Sequence, residues 1–253
     1  TLTITTSAGE IPTTVTERGS GRSVLLLHGG AGPASVAGFA DLLAERTGVR
    51  VITPTHPGFA GTPRPEALST ISGLAELYAH LLDALDLDEV TVVGNSIGGW
   101  IAAELALRHS PRVQGIALVD AVGIAVPEHP VVDFFALTPA QVAEHSYHDP
   151  SEAVVPDPAT LPPAARRVAL GNRDALAVYG GPMTDTGLLA RLPSIDVPAL
   201  VIWGEADQIA DVDYGRTYAT AIPGARFVLL ERSGHVPQIE TPELLVSELQ
   251  ALA

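Results

Sequence analysis

Gly94-Asn95-Ser96-Ile97-Gly98 constrains this chain more than any other stretch. The apolar run at 90–93 precedes it, and an apolar stretch at 100–107 follows. That pattern predicts a strand, a sharp turn and a helix, with a serine at the apex. A serine hydroxyl is a weak nucleophile unless it is held, exposed and relieved of its proton by a neighbour. Flanking glycines let strand and helix approach closely and leave the serine backbone strained.

The rest of the chain supplies a setting for such a turn. With 253 residues, 46% hydrophobic and 17% charged, it can bury one large α/β core or two small ones. A formal net charge of −15 repels nucleic acid and anionic membranes, so neither is an expected partner. There is no cysteine, which excludes disulfides, a thiolate nucleophile and a thiolate metal site. Gly-x-Gly-x-x-Gly is absent, and no cofactor or metal is expected. His145-Ser146-Tyr147-His148-Asp149 is too tightly spaced on one element to converge on an ion. No apolar run reaches the ~18–20 residues of a membrane helix. Thr1-Leu2-Thr3-Ile4 lacks the basic and apolar regions of a signal peptide, and a segment removed before Thr1 leaves no trace. The cytoplasm is the expected location, a small-molecule substrate the expected partner, and a homodimer a compatible assembly.

Residues 2–6 and 13–16 read as a two-stranded antiparallel start. Ser23–Leu27 and 115–119 read as buried strands, and 50–53, 90–93, 197–203 and Arg226–Leu230 as further strands. Helices are predicted around Phe39, Leu42 and Leu43, over 69–87, over 98–109, and from Thr241-Pro242 to Leu252. Strand and helix alternate, which implies a mostly parallel sheet with helices on both faces. Between 123 and 193 the pattern changes to dense prolines and short helical stretches, one of them capped by Thr138. Residues 1–122 and 194–253 form the expected core, and 123–193 an inserted helical lid at the carboxyl ends of the strands.

A nucleophilic serine needs a base, and the base needs an orienting acid. Among eight histidines, His235 directly follows the last strand in Ser233-Gly234-His235. Asp207 leaves the preceding strand in Trp203-Gly204-Glu205-Ala206-Asp207. The order Ser96, Asp207, His235 is that of a nucleophile-elbow triad. Asp120, at its own strand end, is the alternative acid. His28 reads as a residue that stabilises its loop, and His56 as part of a turn. His129, His145 and His148 read as solvated or structural.

His28-Gly29-Gly30, Gly94-Asn95-Ser96-Ile97-Gly98-Gly99, Trp203-Gly204-x-x-Asp207 and Gly234-His235 together resemble the α/β-hydrolases over nearly the whole chain. The resemblance implies a mostly parallel eight-stranded sheet with helices on both faces. It makes Ser96 the nucleophile, His235 the base and later the acid, and Asp207 the orienting group. It also makes the backbone N–H groups of Ile97 and Gly30 the oxyanion hole.

A serine at the elbow argues against the aspartate-dependent dehalogenases and epoxide hydrolases. The glycine-rich loops resemble carbon–carbon bond hydrolases of ring-cleavage diketones most. However, valine follows His235 where those enzymes carry tryptophan, and the loop after Pro33 lacks their asparagine. Arg166, Arg167 and Arg173 could face a substrate carboxylate, although surface positions suit them better. The first expectation is therefore a serine hydrolase of small or medium carboxylic esters, acting through an acyl-enzyme. Phe134, Phe135, Leu137, Tyr147 and Met183 are the candidate pocket wall. Lactonase or haloperoxidase relatives are alternatives, as are triad-retaining lyases and ligand receptors.

Overall fold

The computed structural model describes residues 1–153, 155 and 157–250. β1 (Leu2–Thr6) and β2 (Gly9–Thr13) pair antiparallel as a separate hairpin. The partner of β1 is thus 9–13 and not 13–16. Pro12 is tolerated because a two-stranded ribbon leaves its missing N–H side unpaired. The central sheet contains β3 (Val15–Arg18), β4 (Ser23–Leu27), β5 (Arg50–Pro54), β6 (Val90–Asn95) and β7 (Val113–Val119). Two-residue strands β8 (Gly123–Ile124) and β9 (Thr184–Asp185) pair with each other outside it. β10 (Ala199–Gly204) and β11 (Arg226–Leu230) complete the sheet.

Its order is β11-β10-β7-β6-β4-β5-β3. All neighbours are parallel except β3, which runs antiparallel along β5. The sheet has seven strands where eight were expected, because β1 and β2 stay apart from it.

The helices are α1 (Ala34–Thr47), α2 (Ile71–Ala84), α3 (Ile97–Ala106), α4 (Pro139–Ser146), α5 (Pro163–Gly180), α6 (Leu188–Arg191), α7 (Val212–Ala221), α8 (Pro237–Glu240) and α9 (Pro242–Leu249). The expected end of the last helix at Leu252 lies outside the described residues, as does Pro156. Side chains alternate between two faces along each central strand. Leu25, Leu27, Val92, Ile116, Leu118 and Val201 meet α2 and α3 residues such as Leu74, Leu81 and Ile101. Val24, Leu26, Val93, Ala117, Val119 and Ile202 meet Phe39 and Leu43 of α1 and Leu245 of α9. Each aliphatic side chain that leaves water in this way contributes about 1.5–3 kcal/mol. The result is a rigid sheet whose carboxyl edge holds the loops after β4, β6, β7, β10 and β11.

The segment 123–193 holds β8, α4, α5, β9 and α6. Thr138 caps α4 through a reciprocal box with Gln141. α5 is one continuous 18-residue helix, not a series of short pieces between prolines. Its N-terminal half is largely exposed, while Ala175, Leu176, Tyr179 and Gly180 are buried. At the far end, Arg191 grips the buried Glu104 of α3 at 2.5 and 2.8 Å and Asp185 at 2.6 Å.

Candidate active site

Ser96 sits between β6 and α3 at φ 57° and ψ −120°, a conformation that side-chain-bearing residues rarely adopt. The turn survives because its neighbours lack side chains. A Cβ on Gly94 would lie 2.1 Å from the Gly98 carbonyl oxygen, and one on Gly98 would lie 2.3 Å from that of Leu27. The Ser96 N–H donates to Val119 O at 3.0 Å, and its carbonyl accepts from Gly99 and Trp100. Its hydroxyl points to His235 Nε2 at 3.0 Å.

His235 Nδ1 donates to Asp207 Oδ2 at 2.8 Å. The other oxygen of Asp207 accepts from the N–H groups of Ile209 at 2.8 Å and Ala210 at 3.2 Å. The fully buried Trp203 indole donates to Ala210 O at 2.8 Å, so the same loop is held from beneath. Ser96, Asp207 and His235 are each less than 8% exposed. Close stacking of this loop on the His235 loop requires glycines: a Cβ on Gly204 would lie 2.1 Å from Gly234 O. The structure therefore brings together the three residues expected from sequence.

Three polar side chains that sequence reasoning did not single out brace this arrangement. Asn95 Nδ2 donates to His235 O at 3.0 Å, tying the residue before the serine to the base. Gln238 Nε2 donates to Asn95 Oδ1 at 3.1 Å. Glu240 accepts from Gly234 N at 2.7 Å and His148 N at 2.8 Å, pinning the His235 loop to the turn after α4. The His235 N–H also donates to Ser146 O at 2.8 Å. Only Asn95 lies inside a recognisable motif; the other two are set by how loops meet.

Asp120 does not touch His235. It is fully buried at the end of β7, with its N–H on Ile202 O and its Oδ1 accepting from Gly204 N at 2.8 Å. Burial, then the adjacent Asp207 charge, push its carboxyl well above the usual carboxylate range.

The loop His28-Gly29-Gly30 packs against the elbow, since a Cβ on Gly29 would lie 3.2 Å from Ser96 Cβ. Among the described residues, the N–H groups of Gly30 and Ile97 find no protein acceptor. Leu176 of α5 covers Gly30, where a Cβ would lie 2.7 Å from Leu176 Cδ2. Asn172 of α5 accepts from Ala60 N at 2.8 Å. Tyr147 and Met183 are buried, and the Tyr147 backbone lies against Gly234. Phe134 and Phe135 are half-buried and pack edge-to-face, with Arg173 against both rings. Leu137 is half-buried. Arg166 and Arg167 are exposed, and His129 pairs with Asp211 at 2.7 Å.

Beneath the loop, His28 and His56 form a closed polar network. His28 Nδ1 donates to Gly29 O at 2.8 Å, and its Nε2 accepts from His56 N at 3.1 Å. His56 Nε2 donates to His28 O at 2.9 Å, and its Nδ1 meets the Tyr78 hydroxyl. His56 opens the turn expected there, its carbonyl accepting from Phe59 N at 2.9 Å, and its ring is a fully buried support.

Burial holds His28 at a pKa of about 4 and drives His56 well below its usual range. Unfolded, each ring protonates below about pH 6.5. Unfolding therefore takes up protons between about pH 6.5 and 4, and the stabilisation these rings give is lost as pH falls through that window. The penalty of His28→Gln is expected to shrink by about 1.4 kcal/mol per pH unit across it. Urea unfolding of both proteins at pH 7, 6 and 5 checks this, and a pH-independent penalty would contradict it.

A model of the alpha/beta hydrolase family matches residues 24–248. A 2-hydroxymuconate semialdehyde hydrolase of Pseudomonas putida is 29% identical over 249 residues, covering 91% of this chain and 86% of that protein. A 2-hydroxy-6-oxo-2,4-heptadienoate hydrolase of the same species is 30% identical over 260 residues, covering 92% and 89%. A thermophilic esterase from Thermogutta terrifontis superposes with a TM-score of 0.79 at 24% identity, covering 99% of this chain and 97% of the other. The two curated relatives do not support the ester preference drawn from sequence. Strand order, elbow and a family match spanning nearly the whole sequence agree that this chain is a hydrolase belonging to the alpha/beta hydrolase family.

Proposed function

We propose that this chain is a serine hydrolase that cleaves a carbon–carbon bond of a ring-cleavage diketone acid through an acyl-enzyme at Ser96. The observation that carries the reading is the continuous hydrogen-bonded chain from Ser96 Oγ through His235 to Asp207. Likeness to a 2-hydroxy-6-oxo-2,4-heptadienoate hydrolase supports the substrate class. Such an acid has neither an ester nor an amide, so its hydrolysis must break a carbon–carbon bond.

The 2-hydroxydiene acid reacts as its 2-keto tautomer, the hydroxyl proton moving to the carbon next to the ketone. Ser96 Oγ then attacks the ketone carbon while its proton passes to His235 Nε2. The N–H groups of Gly30 and Ile97 receive the oxyanion. As the carbonyl reforms, the carbon–carbon bond breaks and its electron pair leaves as an enolate, which takes the proton from His235. Water then gives a proton to His235 and attacks the acyl carbon. The acid departs and Ser96 regains its proton. In this reading 123–193 serves as a lid, with Phe134, Phe135, Leu137, Tyr147 and Met183 forming the apolar wall.

Cleavage of a small or medium carboxylic ester is the second reading, and one observation favours it. Arg173 already donates to Phe135 O at 2.5 Å, and Arg64 donates to the carbonyls of Pro65, Glu66 and Leu68. Both guanidinium groups thus already hold backbone carbonyls, and a neutral ester needs no cation.

A panel of p-nitrophenyl esters, lactones and a 2-hydroxy-6-oxo-dienoate separates the two. The diketone is expected to show a kcat/KM at least about tenfold above the best ester, the equivalent of 1.4 kcal/mol. Turnover of esters with none of the diketone would overturn the first reading in favour of the second.

A further inference from the structure

The mechanism above uses one of two buried carboxyls. Asp207 accepts three hydrogen bonds, from His235, Ile209 and Ala210. Asp120 accepts one, from Gly204, and its Oδ2 has no ordinary donor. Both residues are bound to the same peptide unit: Asp120 Oδ1 accepts from Gly204 N at 2.8 Å, and Gly204 O accepts from Asp207 N at 3.2 Å. Among the described residues, Asp120 Oδ2 is buried with no partner of its own. Two neighbouring carboxylates held away from water cannot both be charged. The charge settles where more donors meet it, which is Asp207, and the proton stays on Asp120. Asp120 also occupies φ 46°, a left-handed backbone that aims its side chain from the end of β7 towards the loop after β10.

We propose that Asp120 is a positioning residue for the hydrolytic triad: a neutral acid whose Oδ2–H donates to Asp207 and fixes the carboxylate that orients His235. It rests on the catalytic reading of Ser96, His235 and Asp207. Besides Asp207, the charged group facing Asp120 is Glu240 of α8, and His235 lies beyond Asp207. Burial raises the Asp120 carboxyl in the direction this arrangement needs.

An amide reproduces both hydrogen bonds of a neutral acid. One oxygen accepts from Gly204 N–H, and one N–H donates to Asp207. Asp120→Asn is therefore expected to keep kcat within about threefold of the parent, where an indispensable triad charge would cost orders of magnitude. The rising limb of its pH–kcat/KM profile, set by His235, should stay in place. Asp120→Ala removes the donor and should lower kcat about tenfold or more at nearly constant KM, the pattern of an interaction that acts in the transition state. Its rising limb should move to higher pH, because an unassisted Asp207 carboxylate holds the imidazolium more strongly.

An infrared difference spectrum between the parent and Asp120→Asn should show a carboxylic-acid carbonyl band at neutral pH. That readout needs no turnover and keeps the test open if Asp120→Ala fails to fold. Three results would each overturn the proposal: absence of that band, a rising limb displaced to lower pH in Asp120→Asn, or an unchanged kcat in a folded Asp120→Ala. Loss of activity in Ser96→Ala, with any of those results, would leave the catalytic reading standing while this inference fell.

Discussion

Ser96→Ala is expected to lower kcat/KM by about 10⁴-fold or more while the protein stays folded. The hydroxyl donates to His235 Nε2 and to no buried structural acceptor, so its removal deletes chemistry and little else. The backbone of the turn is fixed by Gly94, Gly98 and the Ser96 N–H to Val119 O bond, none of which needs the hydroxyl. Unfolding free energy should therefore change by less than about 1 kcal/mol. Denaturation and turnover on any accepted substrate check this together. Residual activity above about 1% of the parent would point to another nucleophile, since triad-independent catalysis retains far less.

Asp207→Asn is the second large effect. The amide keeps an oxygen for the N–H groups of Ile209 and Ala210, so the loop should persist. Its NH₂ then faces His235 Nδ1, which must give up its proton to accept. The imidazole takes the other tautomer, and Nε2 can no longer receive the Ser96 proton. In the serine-protease triad the same change costs about 10⁴ in kcat. The matched control is Asp120→Asn, which leaves a neutral group neutral. If Asp120→Asn proved the more damaging, the acid would be Asp120 and the geometry at His235 would have been misread.

The apolar run 23–27 was readable because it is buried and bounded by turns, and it matches the structure residue for residue. The run 226–230 also matches, although β11 is an edge strand with only Leu230 buried. Other edges were less readable. Thr13 and Val15 fall in different sheets, and no periodicity marks the change of partner at Thr14. β8 and β9 are two residues each, too short to leave a pattern. α5 was hidden by composition: Gly171 interrupts it, and its first ten residues bury nothing.

The site was legible to the extent that chemistry sits at strand ends. Ser96, Asp207 and His235 follow β6, β10 and β11 in an order that few other functions require. Sequence order favoured Asp207 and left Asp120, one strand away, as the alternative; a 2.8 Å contact to His235 singles out Asp207. Gln238 and Glu240 gave no signal, because their roles depend on which loops fold against the base.

Intact-mass analysis after a fluorophosphonate probe tests the central claim most directly. The native protein should gain one adduct, mapped to Ser96, at a rate that falls sharply in His235→Ala. Ser96→Ala should gain none. An unlabelled native protein, or a labelled Ser96→Ala, would contradict an activated serine at this turn.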